Sequence, residues 1–578
     1  MSNQDIQIIC ELLLGITNIN ENIRNVSVNK LQELISKQFD LLLLCILEIV
    51  EKTSASTEDK QKLLKTTSLV IGRKIIEIVE YNTWKNINND LKSKIKYKLL
   101  SLLNKEIKDN LKVCDLILEL LEKIFECEGI WPEILNLLNN LFNYNPNKGD
   151  KNSQQIISLL YIIKGGINFL YNELSKNLNK FVIYLEKIFN SSNIDIKAKI
   201  LAGELVYEFL SFADSSELEI IKIIIKNILI SFYNSYQFFI EKKINEKDIK
   251  SFLKIFIDIE SIEPSLLENY FKDIFNLIKE IISNQKFNDE KIREMGFELI
   301  ISLIEDKPSI INNTNDKILI SFLELILNYA LEFDKNIQIN FDNIYYDNFE
   351  QSFIEDEIIF SVSIMERLFE NRKNENIKNY FKILVDNNIK KSWKHQYVIL
   401  FLIDTYCGYN EDILFIQQFL DSIFNLSFSS ENKVRFASLY CISNVISYYK
   451  LNFLKQNVLK ILMIIIQLLK NEKNLRCNYE ILNCLKKVIH YNTKEEINNY
   501  IDEIFDLLMK IFSEENCNVI IKKLIILNIL ELNEKRNNEK INILLNKIDI
   551  NSLMNYFINL YNEKKDSILY GVLLEILF

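Results

Sequence analysis

An all-α chain built from one repeated pair of helices is what this sequence predicts, on three observations. Gly occurs only 10 times and Pro 4 times in 578 residues, against typical usage of roughly 7% and 5%. Sheet-rich folds need turn residues every 8–12 positions or so, about, and this chain does not supply them. Apolar residues instead recur at steps of three and four. In SSENKVRFASLYCISNVI and the residues after it, Val434, Ala437, Cys441, Val445 and Tyr448 fall on one helical face. The third observation is a near copy, KNEKNLRCNYEILNCLKKVI, in which Arg476 stands 41 residues beyond Arg435. Its corresponding face is Leu475, Tyr479, Leu482, Leu485 and Ile489.

The same opening, a polar turn followed by an aliphatic and a basic residue, recurs at Ile23-Arg24, Leu111-Lys112, Ile196-Lys197 and Ile292-Arg293. The longer steps between these basic residues are close to two or three units of roughly 40–47 residues, the period of HEAT repeats. Neither helix of such a pair can bury its apolar face alone, so neighbouring pairs must stack. The expected architecture is a right-handed α-solenoid superhelix of HEAT/armadillo-like repeats, with about 12–13 helical pairs at this period. At the start of a repeat's second helix, the basic residue can reach a carbonyl or an acid in the adjoining repeat. The least regular stretch, FDKNIQINFDNIYYDNFEQSFIEDE at residues 333–357, is acidic, aromatic and unpatterned, and reads as a long loop. The chain is thereby divided into repeats at 1–140 and 141–332, this loop, and repeats at 358–578.

The bulk numbers narrow the partners. A net charge of −10 argues against direct nucleic-acid binding and against attraction to an anionic membrane. The nine cysteines include no CxxC pair and read as reduced, buried thiols of the cytosol or nucleus. The N-terminus, MSNQDIQIIC, lacks a signal-peptide pattern. Apolar runs such as ILMIIIQLL fall short of the ~20 residues a membrane span needs, so no membrane insertion is expected. The C-terminal run SILYGVLLEILF lacks the polar face of a capping repeat. It predicts a shortened chain, a final helix packed back, or a partner.

Catalytic raw material is scarce, and no catalytic, metal or cofactor-binding residue is assigned. His395 and His490 are the only histidines. Cys407 lies about 18 Å along the helix from His395 at 1.5 Å per residue, too far to share a proton. Gly165-Gly166 is not followed by the Lys-Ser/Thr of a phosphate loop, so a kink or close packing explains it better. Trp84, Trp131 and Trp393 read as core anchors at helix ends, with partner contact as the other reading.

Read in order, these landmarks resemble the importin-β-type nuclear transport receptors, nearest the beta-three branch. Arg24 stands where that family has the arginine of its first repeat. SLVIGRKIIEIVEYNTWKNI carries the family's basic pair, Arg73-Lys74, and its tryptophan, Trp84. GIWPEILNLL carries Trp131-Pro132 at a helix start. KIREMGFELIISLIEDKPSI has Arg293 and the Glu-x-x-Pro ending, Glu305 and Pro308. SWKHQYVILFLIDTYCGY has Trp393-Lys394, and Arg435 and Arg476 follow in order. The resemblance implies an import receptor that binds Ran GTPase in its GTP form through residues 1–140. Cargo proteins with basic signals would lie on the inner face of residues 358–578, and nuclear pore Phe-Gly repeats would bind outside. It also implies shuttling between cytoplasm and nucleus. A HEAT-repeat scaffold without transport activity is the alternative. The cargo-groove candidates carried over are Asp404, Asn444 and Asn483. Two of the branch's acidic groove positions fall here on Gly408 and Tyr448, which thins the acidic character.

Overall fold

The computed structural model describes residues 3–53, 59–78, 84, 87–106, 111–142, 153–308, 316–333, 354–370, 375–410, 413–492, 495–514 and 517–536. These residues form 25 α-helices and a 3₁₀ turn, Glu495–Asn499, with no strand among them. Most of the loop expected at 333–357 lies outside the described residues, as does the C-terminal apolar run.

The chain divides into two compact units, Met1–Leu277 with Lys286–Met295, and Ile278–Gln285 with Gly296–Phe578. In chain order the helices are α1 Asn3–Ile16, α2 Glu21–Thr53, α3 Asp59–Ile78, α4 Asn89–Glu106, α5 Leu111–Glu128, α6 Pro132–Phe142, α7 Ser153–Gly165 and α8 Ile167–Lys176. Then come α9 Leu178–Asn190, α10 Ile196–Leu210, α11 Ser215–Ile240, α12 Glu246–Ile262, α13 Ser265–Glu268, α14 Phe271–Ile282 and α15 Lys291–Asp306. The remainder are α16 Asp316–Ala330, α17 Asp356–Glu370, α18 Glu375–Asn388, α19 Trp393–Tyr409, α20 Ile413–Gln417, α21 Leu420–Leu426, α22 Asn432–Asn471, α23 Leu475–Tyr491, α24 Ile501–Phe512 and α25 Val519–Arg536.

Each basic landmark lies in the first turn of a helix: Arg24 in α2, Lys112 in α5, Lys197 in α10, Arg293 in α15, Arg435 in α22 and Arg476 in α23. In the first unit α3 packs on α5, α5 on α7, α7 on α10 and α10 on α12, so these helices form one layer. In the second, α19 packs on α22, α22 on α23 and α23 on α25. Apolar stripes supply the driving force, since burying one Leu, Ile or Phe side chain is worth about 1.5–3 kcal/mol.

Polar side chains record the period directly, because many bond to a group one repeat away. In the first unit Lys65 pairs with Glu106, both buried, and Arg73 Nη1 pairs with Glu119 Oε2 at 2.5 Å. Trp84, fully buried, donates from Nε1 to Glu128 Oε1 at 2.9 Å, and Glu128 also takes Lys96 Nζ at 2.7 Å. Further pairs are Lys164 with Glu204 at 2.6 Å and Lys250 with Asp289 at 2.6 Å. In the second unit Arg435 pairs with Glu472, and His490 with Glu531 at 2.8 Å.

Local chemistry sets the helix boundaries. Gly129, at φ +70, ends α5 by turning its N–H back to the Phe125 carbonyl at 2.7 Å, a conformation Gly adopts without steric cost. Three residues on, Pro132 opens α6, where its missing N–H removes nothing. Trp131 between them is buried, 4.5 Å from the Phe125 ring centroid. Asp214 and Glu217 form a capping box at the start of α11. The paired glycines 165 and 166 mark close packing: a Cβ at Gly166 would come within 2.8 Å of the Phe125 ring.

Two breaks carry no Gly or Pro. Non-helical backbone at Gln38 divides α2, and Lys450, at φ 49 and ψ −130, divides α22. By length and composition α22 is the one helix among the described residues able to cross a membrane. The break at Lys450 splits it, and half of its most apolar window is buried in the structure. Of the nine cysteines six are buried, while Cys10, Cys127 and Cys517 are half-buried.

Candidate functional site

The three groove candidates stand on successive helices of one layer: Asp404 on α19, Asn444 on the first half of α22 and Asn483 on α23. Helix α19 is buried on every side from Tyr397 to Cys407, which is why its pattern is apolar all round. Asp404 sits in that stretch, 8% exposed. Its Oδ2 accepts from Asn444 Nδ2 at 3.1 Å, and Asn444 Oδ1 accepts from Lys487 Nζ at 3.2 Å. A continuous polar rung therefore crosses α19, α22 and α23.

Asn483 does not extend this chain of bonds. It lies one turn from Glu480, a 6% exposed carboxyl on the same helix. Burial pushes the Asp404 carboxyl up to about 7, with Glu480 and Glu366 adding to the rise and the Asn444 amide and Lys487 opposing it. Burial likewise pushes Glu480 up to about 7, against Lys487 and Asn483. Lys487 is held below its ordinary range, first by burial, although Glu480 and Asp404 pull the other way. The arrangement is one ammonium joined through the Asn444 amide to a buried carboxyl, with a second buried carboxyl, Glu480, on the ammonium's own helix.

Two uncharged positions on this face meet. A Cβ on Gly408 would lie 3.4 Å from the Cζ and hydroxyl of Tyr448. The Tyr448 ring, 43% exposed, covers the glycine and presents an aromatic surface beside the rung.

The repeat arginines separate into distinct environments. Arg24 donates from Nη1 to the carbonyls of Asn18 and Ile19 at 2.8 and 2.7 Å. Arg435 makes the same two bonds at the same offsets, to Ser429 and Ser430 at 2.8 and 3.2 Å. It then adds a bidentate pair with Glu472 at 2.7 and 2.9 Å. Arg293 and Arg476 are buried, and Arg73 is half-exposed in its pair with Glu119. Trp393 is half-buried, 6.1 Å from the Phe333 ring, with Lys394 Nζ 4.1 Å from that ring's centroid.

Sequence reasoning missed three residues. Lys487 was legible only as lying one repeat beyond Asn444, and Glu480 only as a helix-face neighbour of Asn483. Arg367 on α17 was also missed. It binds both carboxylate oxygens of Glu305 at 2.8 and 2.5 Å and reaches Glu298 at 2.5 Å. Catalytic geometry does not gather around the histidines. His395 Nδ1 meets Ser392 at 2.8 Å across one turn at the start of α19, and His490 pairs with Glu531. Among the described residues no group of three His, Cys, Asp or Glu side chains could hold a metal ion. A largely apolar cleft of ≈ 820 Å³ lies in the first unit, away from the rung, lined by Tyr97, Leu100, Leu137, Ile156, Leu159 and Tyr184 among others.

The fold defines a helical-repeat protein built from layers of stacked helices. The solved structures sharpen that class: over its full length the chain has the HEAT-repeat solenoid fold of the karyopherin Kap121p, of the importin-β beta-three branch. It matches Kap121p bound to Nup53p and Kap121p bound to RanGTP, each at TM-score 0.76 and 15% identity over 100% of this chain. It also matches Kap121p bound to Pho4p at TM-score 0.75 and 15% identity over 99%. The chain spans about half of those chains, 52–53% of their length. No family model matches the sequence. Among curated proteins, a glutamate–tRNA ligase of Ureaplasma urealyticum serovar 10 is 28% identical over 219 residues, 36% of this chain and 41% of the ligase.

Proposed function

We propose that this chain is a non-enzymatic transport receptor of the importin-β type, carrying protein cargo between cytoplasm and nucleus. The observation that carries the reading is the full-length likeness to Kap121p, a protein solved with RanGTP, Nup53p and Pho4p bound. The ordered sequence landmarks support it independently, with Arg24, Arg293, Arg435 and Arg476 each in the first turn of a helix. On this reading residues 1–140 face Ran in its GTP form. Cargo lies along the face bearing Asp404, Asn444 and Asn483, and Phe-Gly segments of the pore dock on the outer helices. Release follows from coupling, since a ligand that favours one repeat packing disfavours a second ligand that needs another. The ligase match has no counterpart in this reading, because it covers about a third of the chain and less than half of the ligase.

A second reading, a scaffold without transport activity, is favoured by one observation: at two groove positions Tyr448 stacks over Gly408 where the branch carries acids. Capture of purified Ran loaded with GTP or GDP separates the two. Selective retention of the GTP form is expected for a receptor, whereas equal or absent retention returns the chain to the scaffold class.

A further inference from the structure

The rung on α19, α22 and α23 has an unusual charge arrangement for a ligand groove. Two carboxyls, Asp404 and Glu480, are more than nine-tenths buried, and the cation whose charge acts on both belongs to the chain itself. Lys487 points its ammonium at Asn444 Oδ1, 3.2 Å away, and Asn444 passes a hydrogen bond on to Asp404. Asn444, Asn483 and Lys487 are each half-buried, so the outer edge of the rung still meets solvent. Accepting a second ammonium here would set two like charges within a few ångströms in a partly desolvated place. The repulsion between them disfavours a bound ammonium, because the effective dielectric near a protein surface is well below that of water. Tyr448 over Gly408 adds an uncharged aromatic surface in place of a further acid.

We propose that Lys487 is a specificity-determining residue that occupies this acid–amide position from within the chain. The rung therefore turns away a lysine side chain of a bound segment and takes a neutral polar one. This rests on the reading that the face holds an extended polypeptide. The attraction that a buried acid pair would exert on a ligand is already used internally. Specificity then comes from a repulsive element placed beside the attractive ones. Selection for basic segments, where it exists, falls to other rungs.

The test is fluorescence anisotropy with a labelled alternating Ala–Lys peptide and its Ala–Gln counterpart, on the whole chain and on Lys487→Gln, Lys487→Met and Lys487→Arg. Gln, one bond shorter, removes the charge while keeping an N–H donor on the Asn444 side, and Met removes the charge at nearly the length of lysine. The expected result is a gain of about tenfold in affinity for the lysine peptide with Gln and Met, little change for the glutamine peptide, and wild-type behaviour with Arg. If folded Gln and Met variants, judged by circular dichroism, bind the lysine peptide no more tightly, the proposal is overturned. It is equally overturned if neither the wild type nor a variant binds either peptide. Capture of Ran in its GTP form by the same preparations reports separately on the transport reading, and its loss overturns that reading whatever Lys487 does.

Discussion

Replacing Arg435 by alanine removes five hydrogen bonds: two to Glu472, two to the carbonyls of Ser429 and Ser430, and one to Asn432 Oδ1 at 2.6 Å. The decisive loss is the ion pair, because the Glu472 side chain is 4% exposed and would be left without its cation. Breaking a buried pair by removing one partner costs about 3–5 kcal/mol. Glu472 keeps the N–H groups of Lys473 and Asn474 at 3.0 and 2.8 Å, so the lower end, about 3 kcal/mol, is expected. Arg24 provides the internal control. It makes the same pair of carbonyl bonds without the Glu472-type partner, and its replacement should cost about 1 kcal/mol. The acid dependence follows. Burial is the largest influence and raises the Glu472 carboxyl, but the Arg435 hydrogen bond and charge together with the N–H groups of Asn474 and Lys473 outweigh it and leave the group below its ordinary 4.5. The stabilisation is therefore complete above that value and lost as pH falls through the lower folded-state value. Urea unfolding with hydrogen exchange of α22 and α23 measures the cost. A double-mutant cycle with Glu472→Gln isolates the pair. An Arg435→Ala cost no larger than that of Arg24→Ala, or a cycle with no coupling, would refute the reasoning.

Asp404 and Glu480, both pushed up to about 7, bind protons in the folded chain that the unfolded chain has released. Their contribution to stability therefore falls as pH rises from about 4 to 7 and is flat above, by up to about 4 kcal/mol for Asp404 alone. Asp404→Asn should flatten that slope in pH-dependent urea titrations, and an unchanged slope would exclude Asp404 as its source. Glu217, buried, accepts from the hydroxyls of Tyr171 and Ser175 and from the Asp214 N–H. Glu217→Ala should cost about 2–3 kcal/mol by stranding these donors and opening the capping box, read as lost exchange protection at the start of α11. A Cβ at Gly203 would approach Ile255 Cδ1 to 2.8 Å. Gly203→Ala should therefore cost about 1–3 kcal/mol by overpacking α10 on α12, and Ile255→Val in the same chain should recover part of it in urea unfolding.

Composition and pattern by themselves determined the helices and their period. Gly and Pro scarcity excluded turn-rich sheets, and the spacing of apolar residues located the stripes. The aliphatic-basic opening fell in the first turn of α2, α5, α10, α15, α22 and α23. These are local properties, fixed within one or two turns by side-chain size and backbone preference. Tertiary structure decided what each of those residues does. Arg435 and Arg476 look alike in sequence, yet one spans to Glu472 and the other is buried. The copied face was read as Leu475, Tyr479, Leu482, Leu485 and Ile489, whereas Tyr479 is only half-buried and Cys477, Glu480, Ile481 and Cys484 lie inside. Tyr448, placed on the apolar face, turns outward over Gly408, and α22 breaks at Lys450 without a turn residue. The rung passes from Asp404 to Asn444 to Lys487 because each partner lies about one repeat away. Which side chains meet across that distance depends on how each helix is rotated against the next, a quantity set by packing the whole layer and absent from any local window of sequence.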